Sequence, residues 1–255
     1  MISRRMTSGF LGVGIGLLWT VAALAQSAAV AEPKPEAAGV KPRAVLELFT
    51  SQGCSSCPAA DALFVELARD PSLLVLTLPV DYWDYLGWKD TLAHAAFSQR
   101  QRLYAKTRGD GQIYTPQAVI DGAAHTVGSD RHAMEQILIA HRATPLPLDV
   151  AVTEHGDQMR VTISGTARAG SIWVLPVARS RTVSIPRGEN RGREVAYANV
   201  VRGKMRVGDW RGEAMVLDLP RSLLQQADAD TFAVLVHGDN GKIGRILGAA
   251  KAPRF

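Results

Sequence analysis

AVLELFTSQGCSSCPAAD, residues 44–61, decides how the rest of the chain is read. Its first six residues are an apolar run of strand length, and Ala60, Leu63, Phe64 and Leu67 follow at the i, i+3, i+4, i+7 spacing of a helix face. The turn between them holds Cys54 and Cys57, the only cysteines of the 255 residues. A thiol reacts as its thiolate, and the start of a helix favours that charge through unpaired N–H groups. Cys54 is therefore expected as the exposed nucleophile, with Cys57 one turn further in as the resolving thiol. Pro58 fits a first helical turn. It also biases Cys57 away from helical geometry, so the helix is expected to begin later than the motif implies.

Working outward, LLVLTLPV (73–80) reads as a second buried strand and residues 89–107 as a polar helix, with Arg100 and Arg102 on its solvated face. QAVIDGAAHTV (117–127) is a hairpin turned at Asp121-Gly122. Ser129 or Asp130 then caps a helix with Met134, Ile137, Leu138 and His141 on one face. After TPLPL (144–148) the pattern changes to short alternating strands, beginning with Leu146, Leu148, Val150 and Val152. The expectation is an α/β domain over 43–144 with a helical insertion, followed by an all-β antiparallel sandwich-like domain over 145–255.

The N-terminus bears on the chemistry through the compartment. Arg4 and Arg5, the apolar run Phe10–Leu24 and the Ala23-Leu24-Ala25 site form a signal-peptide pattern over residues 1–25. Residues 26–42 read as a flexible tether. The mature protein is thus expected in the periplasm or outside the cell, without a stable membrane span after cleavage, where disulfides persist. Removing two arginines lowers the formal charge from +5 to +3. Between Arg179 and Arg211 nine Arg/Lys face three Asp/Glu, so the rest of the mature chain is slightly acidic. An exported location disfavours nucleic acid as a partner.

The order of elements, the Cys-x-x-Cys at the first strand–helix junction and Thr115-Pro116 in YTPQAVIDG together resemble the thioredoxin superfamily. That resemblance covers about residues 43–142 and implies a thioredoxin-like fold. It also implies a cis peptide at Pro116, in a loop that lies against the sulfurs and shapes the substrate groove. Longer blocks, among them ELFTSQGCSSCP, PVDYWDYLGWKD, SQRQRLYA, RGENRG and YANVVR, resemble a family of secreted bacterial proteins with that fold and no assigned function. The sequence departs from ordinary thioredoxin in Gly53, which replaces an aromatic residue, and in the insertion carrying DYWDYLGWKD. Glu47 lies about where that superfamily keeps a buried acid, one residue further off, and is the expected proton acceptor for Cys57.

Four readings of the pair compete. A two-residue bridge closes too small a loop to add much stability. Zinc lacks a second ligand pair. Cuprous ion suits two thiolates, with His125 as the third ligand. Thiol–disulfide exchange on envelope proteins or small thiols, with no cofactor, is the leading reading. Asp81 and Trp83 are expected to line the groove at a strand end. Arg187, Arg191 and Arg193, together with Asn190, are expected to bind an anionic envelope partner. A non-enzymatic interaction protein, working through its β-rich half, is the remaining alternative.

Overall fold

In the computed structural model the described residues are 41–224, 228–239, 243–253 and 255. The signal-peptide pattern and nearly all of the tether lie outside them. Strand β1 (Ala44–Thr50) is buried along its whole length. It pairs parallel with β2 (Leu73–Pro79) and antiparallel with β3 (Gln117–Ile120). The hairpin from β3 to β4 (Ala124–Val127) turns through Asp121 and Gly122, at φ of 49° and 65°, as the Asp-Gly pair predicts.

Helix α1 (Pro58–Leu67) starts at the proline itself. Cys57 is right-handed helical (φ −75°, ψ −35°), against the expected delay. Its carbonyl accepts from the N–H groups of both Ala60 and Asp61, which outweighs the pre-proline bias. α1 and α3 (Arg131–Arg142, capped by Asp130) cover one face of β1–β3 with Ala60, Phe64, Met134 and Leu138. α2 (Ala95–Arg108) covers the other face.

Beyond residue 144 come β5 (Leu148–His155), β6 (Gln158–Gly165), β7 (Gly170–Ile185), β8 (Arg193–Val201), β9 (Met205–Trp210) and β10 (Met215–Pro220). The short α4 (Arg221–Leu224), β11 (Thr231–Asp239) and β12 (Ile243–Lys251) complete the chain. A nine-stranded mixed sheet runs β12-β11-β7-β8-β2-β1-β3-β4, with β9 also on β7, and β10-β6-β5 form a separate three-stranded sheet. The small sheet packs Val150, Val152, Val161 and Ile163 against Val174, Phe232 and Val234 of the large one.

The expected fold class is therefore corrected. The chain does not form a thioredoxin-like α/β domain with a helical insertion followed by an all-β sandwich-like domain; it is mostly β, organised around one large mixed sheet. The reason is the outer edge of β2, a wholly buried strand whose backbone must pair. β8 takes that edge in parallel at Thr77–Val200, and the Thr77 hydroxyl donates to the Ala198 carbonyl at 2.6 Å. Alternation within 145–255 shows strands but not which edge they join. The expected helical insertion holds only one 3-10 turn, Asp84–Leu86.

Candidate functional site

Cys54 and Cys57 are joined in a disulfide with Cα atoms 5.4 Å apart. Cys57 is wholly buried, and Cys54, expected to be exposed, is buried as well at 4% exposure, under the contacts that hold the turn. The turn that carries them is tied down from three directions. Just after β1, the Ser51 hydroxyl and carbonyl accept from the N–H groups of Gly53 and Cys54. From the segment after β2, Asp90 accepts from Gln52 N–H at 2.8 Å, and Trp88 Nε1 donates to Gln52 Oε1 at 2.7 Å. From the β7–β8 hairpin, the Asn190 amide donates to the carbonyls of Gln52 and Cys54 at 2.9 and 2.8 Å. Glu189 accepts from Ser55 N–H at 3.3 Å. Gly188, at φ +77°, lets that hairpin close on Trp88, whose Cβ would lie 3.1 Å from an added side chain.

Thr115-Pro116 is a cis peptide. Pro116 and Ala60 of α1 both press on Gly128, where an added Cβ would meet them at 3.2 and 3.1 Å. Trp83 joins this loop to the cysteine turn: its Nε1 donates to Thr115 Oγ1 at 2.7 Å and its Cβ flanks Gly53. Asp81 accepts from the Ser98 hydroxyl at 2.5 Å and so fastens the end of β2 to α2.

Glu47 is buried as expected, yet it faces α2. Arg100 binds it through Nε and Nη2 at 2.7 and 3.1 Å, and the Tyr104 hydroxyl donates to it at 2.5 Å. Arg100 is 3% exposed, so its assignment to a solvated face is corrected: it is buried opposite Glu47, whose charge it balances. Arg100 Nη2 also donates to His237 Nε2 at 2.9 Å. Burial and the Arg100 charge hold His237 well below the usual imidazole range.

His125 is drawn into another group, its Nδ1 on the Tyr114 hydroxyl at 2.8 Å and its Nε2 on Asp110 at 3.1 Å. Among the described residues no cluster of three His, Cys, Asp or Glu is arranged to hold a metal. Arg187, Arg191 and Arg193 are exposed, whereas Asn190, grouped with them from sequence, is buried against the cysteine turn.

Two acids beside the pair escaped the sequence reading. Asp61 is 2% exposed, lies one turn after Cys57, and accepts from the Thr50 hydroxyl at 2.7 Å. Burial, partly opposed by that bond, pushes its carboxyl up to about 8, and Asp90 adds to the rise. Asp90 is pushed to about 6 by burial, against the backbone N–H groups of Gln52 and Leu92. Tyr197 on β8 is raised by burial and by both acids, and its hydroxyl has no hydrogen-bond partner among the described residues. The spacing was a usable signal, since residues 57, 61 and 64 fall on one helix face.

The site is thus a buried disulfide at a strand–helix junction, on a large mixed sheet. The chain belongs to the family described as protein of unknown function (DUF1223), whose model matches residues 45–237. Its structure is similar to the crystal structure of protein AGR_C_4864 from Agrobacterium tumefaciens, with 31% identity and a TM-score of 0.76, over 84% of this chain and 95% of that one. HBP35 of Porphyromonas gingivalis shares the fold at a TM-score of 0.55 and 13% identity, over 84% of this chain and 75% of that protein. Among curated proteins none matches this chain.

Proposed function

We propose that this protein carries out thiol–disulfide exchange through Cys54 and Cys57, in an exported compartment, on thiol- or disulfide-bearing polypeptides or small thiols. The observation that carries the reading is the buried polar framework around a bridge that closes almost no loop. Such a bridge contributes little by restricting the unfolded chain. Yet Gln52, Asp61, Asp90 and Asn190 are all buried beside it, and unsupported burial of polar groups is costly. Reactivity is a better reason for that arrangement than stability.

In this reading Cys54 takes the attack, because Cys57 has no exposed surface. The Ser56 hydroxyl, 3.4 Å from Cys54 Sγ, supports the sulfur in its thiolate form. Pro116 and Trp83 form the wall on which a substrate lies. The exposed Arg187, Arg191 and Arg193 stand on the hairpin whose Asn190 holds the cysteine turn, and they dock an anionic partner there. The signal-peptide pattern supports export. Replacing Cys57 with Ala should trap mixed disulfides through Cys54, and replacing Cys54 should abolish them. Equal trapping by both variants, or by neither, removes the assigned roles.

A further inference from the structure

The inference rests on the exchange reading and concerns its protons. When a substrate thiolate attacks Cys54 Sγ, a mixed disulfide forms, the Cys54–Cys57 bond breaks, and Cys57 leaves as a thiolate. That sulfur sits in a residue with 0% exposure, so an unneutralised charge there is expensive and solvent does not reach it. A proton must come from a neighbouring group. Glu47, the acid expected from sequence, is engaged by Arg100 and Tyr104. Asp61 has the better position. Its backbone N–H donates to the Cys57 carbonyl at 3.0 Å, which sets the two side chains one helical turn apart on the same face.

We propose that Asp61 hands a proton to the departing Cys57 sulfur when the disulfide is reduced, and takes it back when the disulfide re-forms. The second substrate thiol then attacks its own sulfur in the mixed disulfide, and Cys54 leaves and is protonated from solvent. The products are one substrate disulfide and two protein thiols. The two protons released by the substrate thiols balance one gained by Cys54 and one regained by Asp61. The groups around Asp61 come from three elements: the Thr50 hydroxyl of β1 and Asp90 after β2 act on it, and Tyr197 of β8, whose hydroxyl has no hydrogen-bond partner among the described residues, is itself raised by the Asp61 charge. Near neutral pH Asp61 holds its proton, since its carboxyl is raised to about 8.

The test follows reduction of the full chain by dithiothreitol from pH 6 to 9.5, each rate divided by the reductant's thiolate concentration. The normalised wild-type rate should be level below about pH 8 and fall tenfold per pH unit above it. Asp61→Asn should be about 100-fold slower at pH 7, the low end for general acid catalysis, and its profile should show no bend. Thr50→Val removes a bond that favours the carboxylate, so it should move the bend to higher pH, which a merely structural role would not do. If Asp61→Asn does not fold, the wild-type bend and its displacement in Thr50→Val decide. A wild-type rate and profile in Asp61→Asn, or a bend that Thr50→Val leaves in place, overturns the role of Asp61 while exchange stands. If the folded wild type does not react with the dithiol at all, the exchange reading fails and takes this one with it.

Discussion

Asn190 is the residue that most changes in meaning between sequence and structure. In sequence it belongs to a basic hairpin; in the fold its amide satisfies two carbonyls of the cysteine turn, more than 130 positions away. Asn190→Ala takes the amide donor from the Gln52 carbonyl and leaves the Cys54 carbonyl with the Cys57 N–H alone, and should cost about 1–3 kcal/mol, measured by urea unfolding. An unchanged midpoint would show that the hairpin does not hold the turn. Asp61 makes a separate prediction about stability. Its carboxyl is raised from 3.8 in the reference state to about 8 in the fold, so the native state keeps a proton that the unfolded chain loses between those values. The stability contribution is complete below pH 4 and declines as pH rises through 8, by about 1.4 kcal/mol per unit at most. Asp90 adds a decline of the same sign up to about 6. Asp61→Asn should flatten the slope between pH 6 and 8; an unaltered slope would mean that another group titrates there. Asp61 escaped the sequence reading, although its spacing to Cys57 was a usable local signal. The role of Asn190 was not, because a contact at such separation leaves no local pattern.

At the scale of elements, α1, α3 and the Asp-Gly hairpin were legible because their apolar periods and turn residues are local signals. α2 was only half legible. Its Phe97, Arg100, Gln101 and Tyr104 repeat at helical spacing and are all buried, but the charged and polar members make that face look solvated. The error has an energetic consequence. Arg100→Met leaves Glu47 buried without its cation and should cost about 3–5 kcal/mol. Pairing it with Glu47→Gln should recover part of that loss, and a double variant no more stable than the single one would contradict the pairing. The β7–β8 hairpin behaves oppositely. Replacing Arg187, Arg191 and Arg193 together by Gln should leave the melting temperature nearly unchanged, since exposed charges contribute little. It should weaken pull-down of an anionic envelope partner, most of all at low salt. A folded triple variant that keeps every interaction reduces the patch to a solvated face.

For the whole molecule, the sheet carries the main lesson. The strands on both sides of residue 144 were readable, but their joining through β2 and β8 was not, since edge pairing depends on backbone groups that every residue shares. A fragment of residues 41–144 exposes the outer edge of β2 and loses the partners of α2 on β11 and β12, His237 and Ile243 among them. It should aggregate or unfold without cooperativity by circular dichroism; a monomeric fragment with a sharp melt would contradict that dependence. The central claim, that this scaffold supports a reactive disulfide, is tested most directly by the equilibrium of the Cys54–Cys57 couple in glutathione buffers, with thiols counted by mass after alkylation. A reversible two-electron transition is expected within the range those buffers span, in protein that keeps its native circular dichroism. A bond that yields only when the chain unfolds would show a structural disulfide and rule out the exchange role.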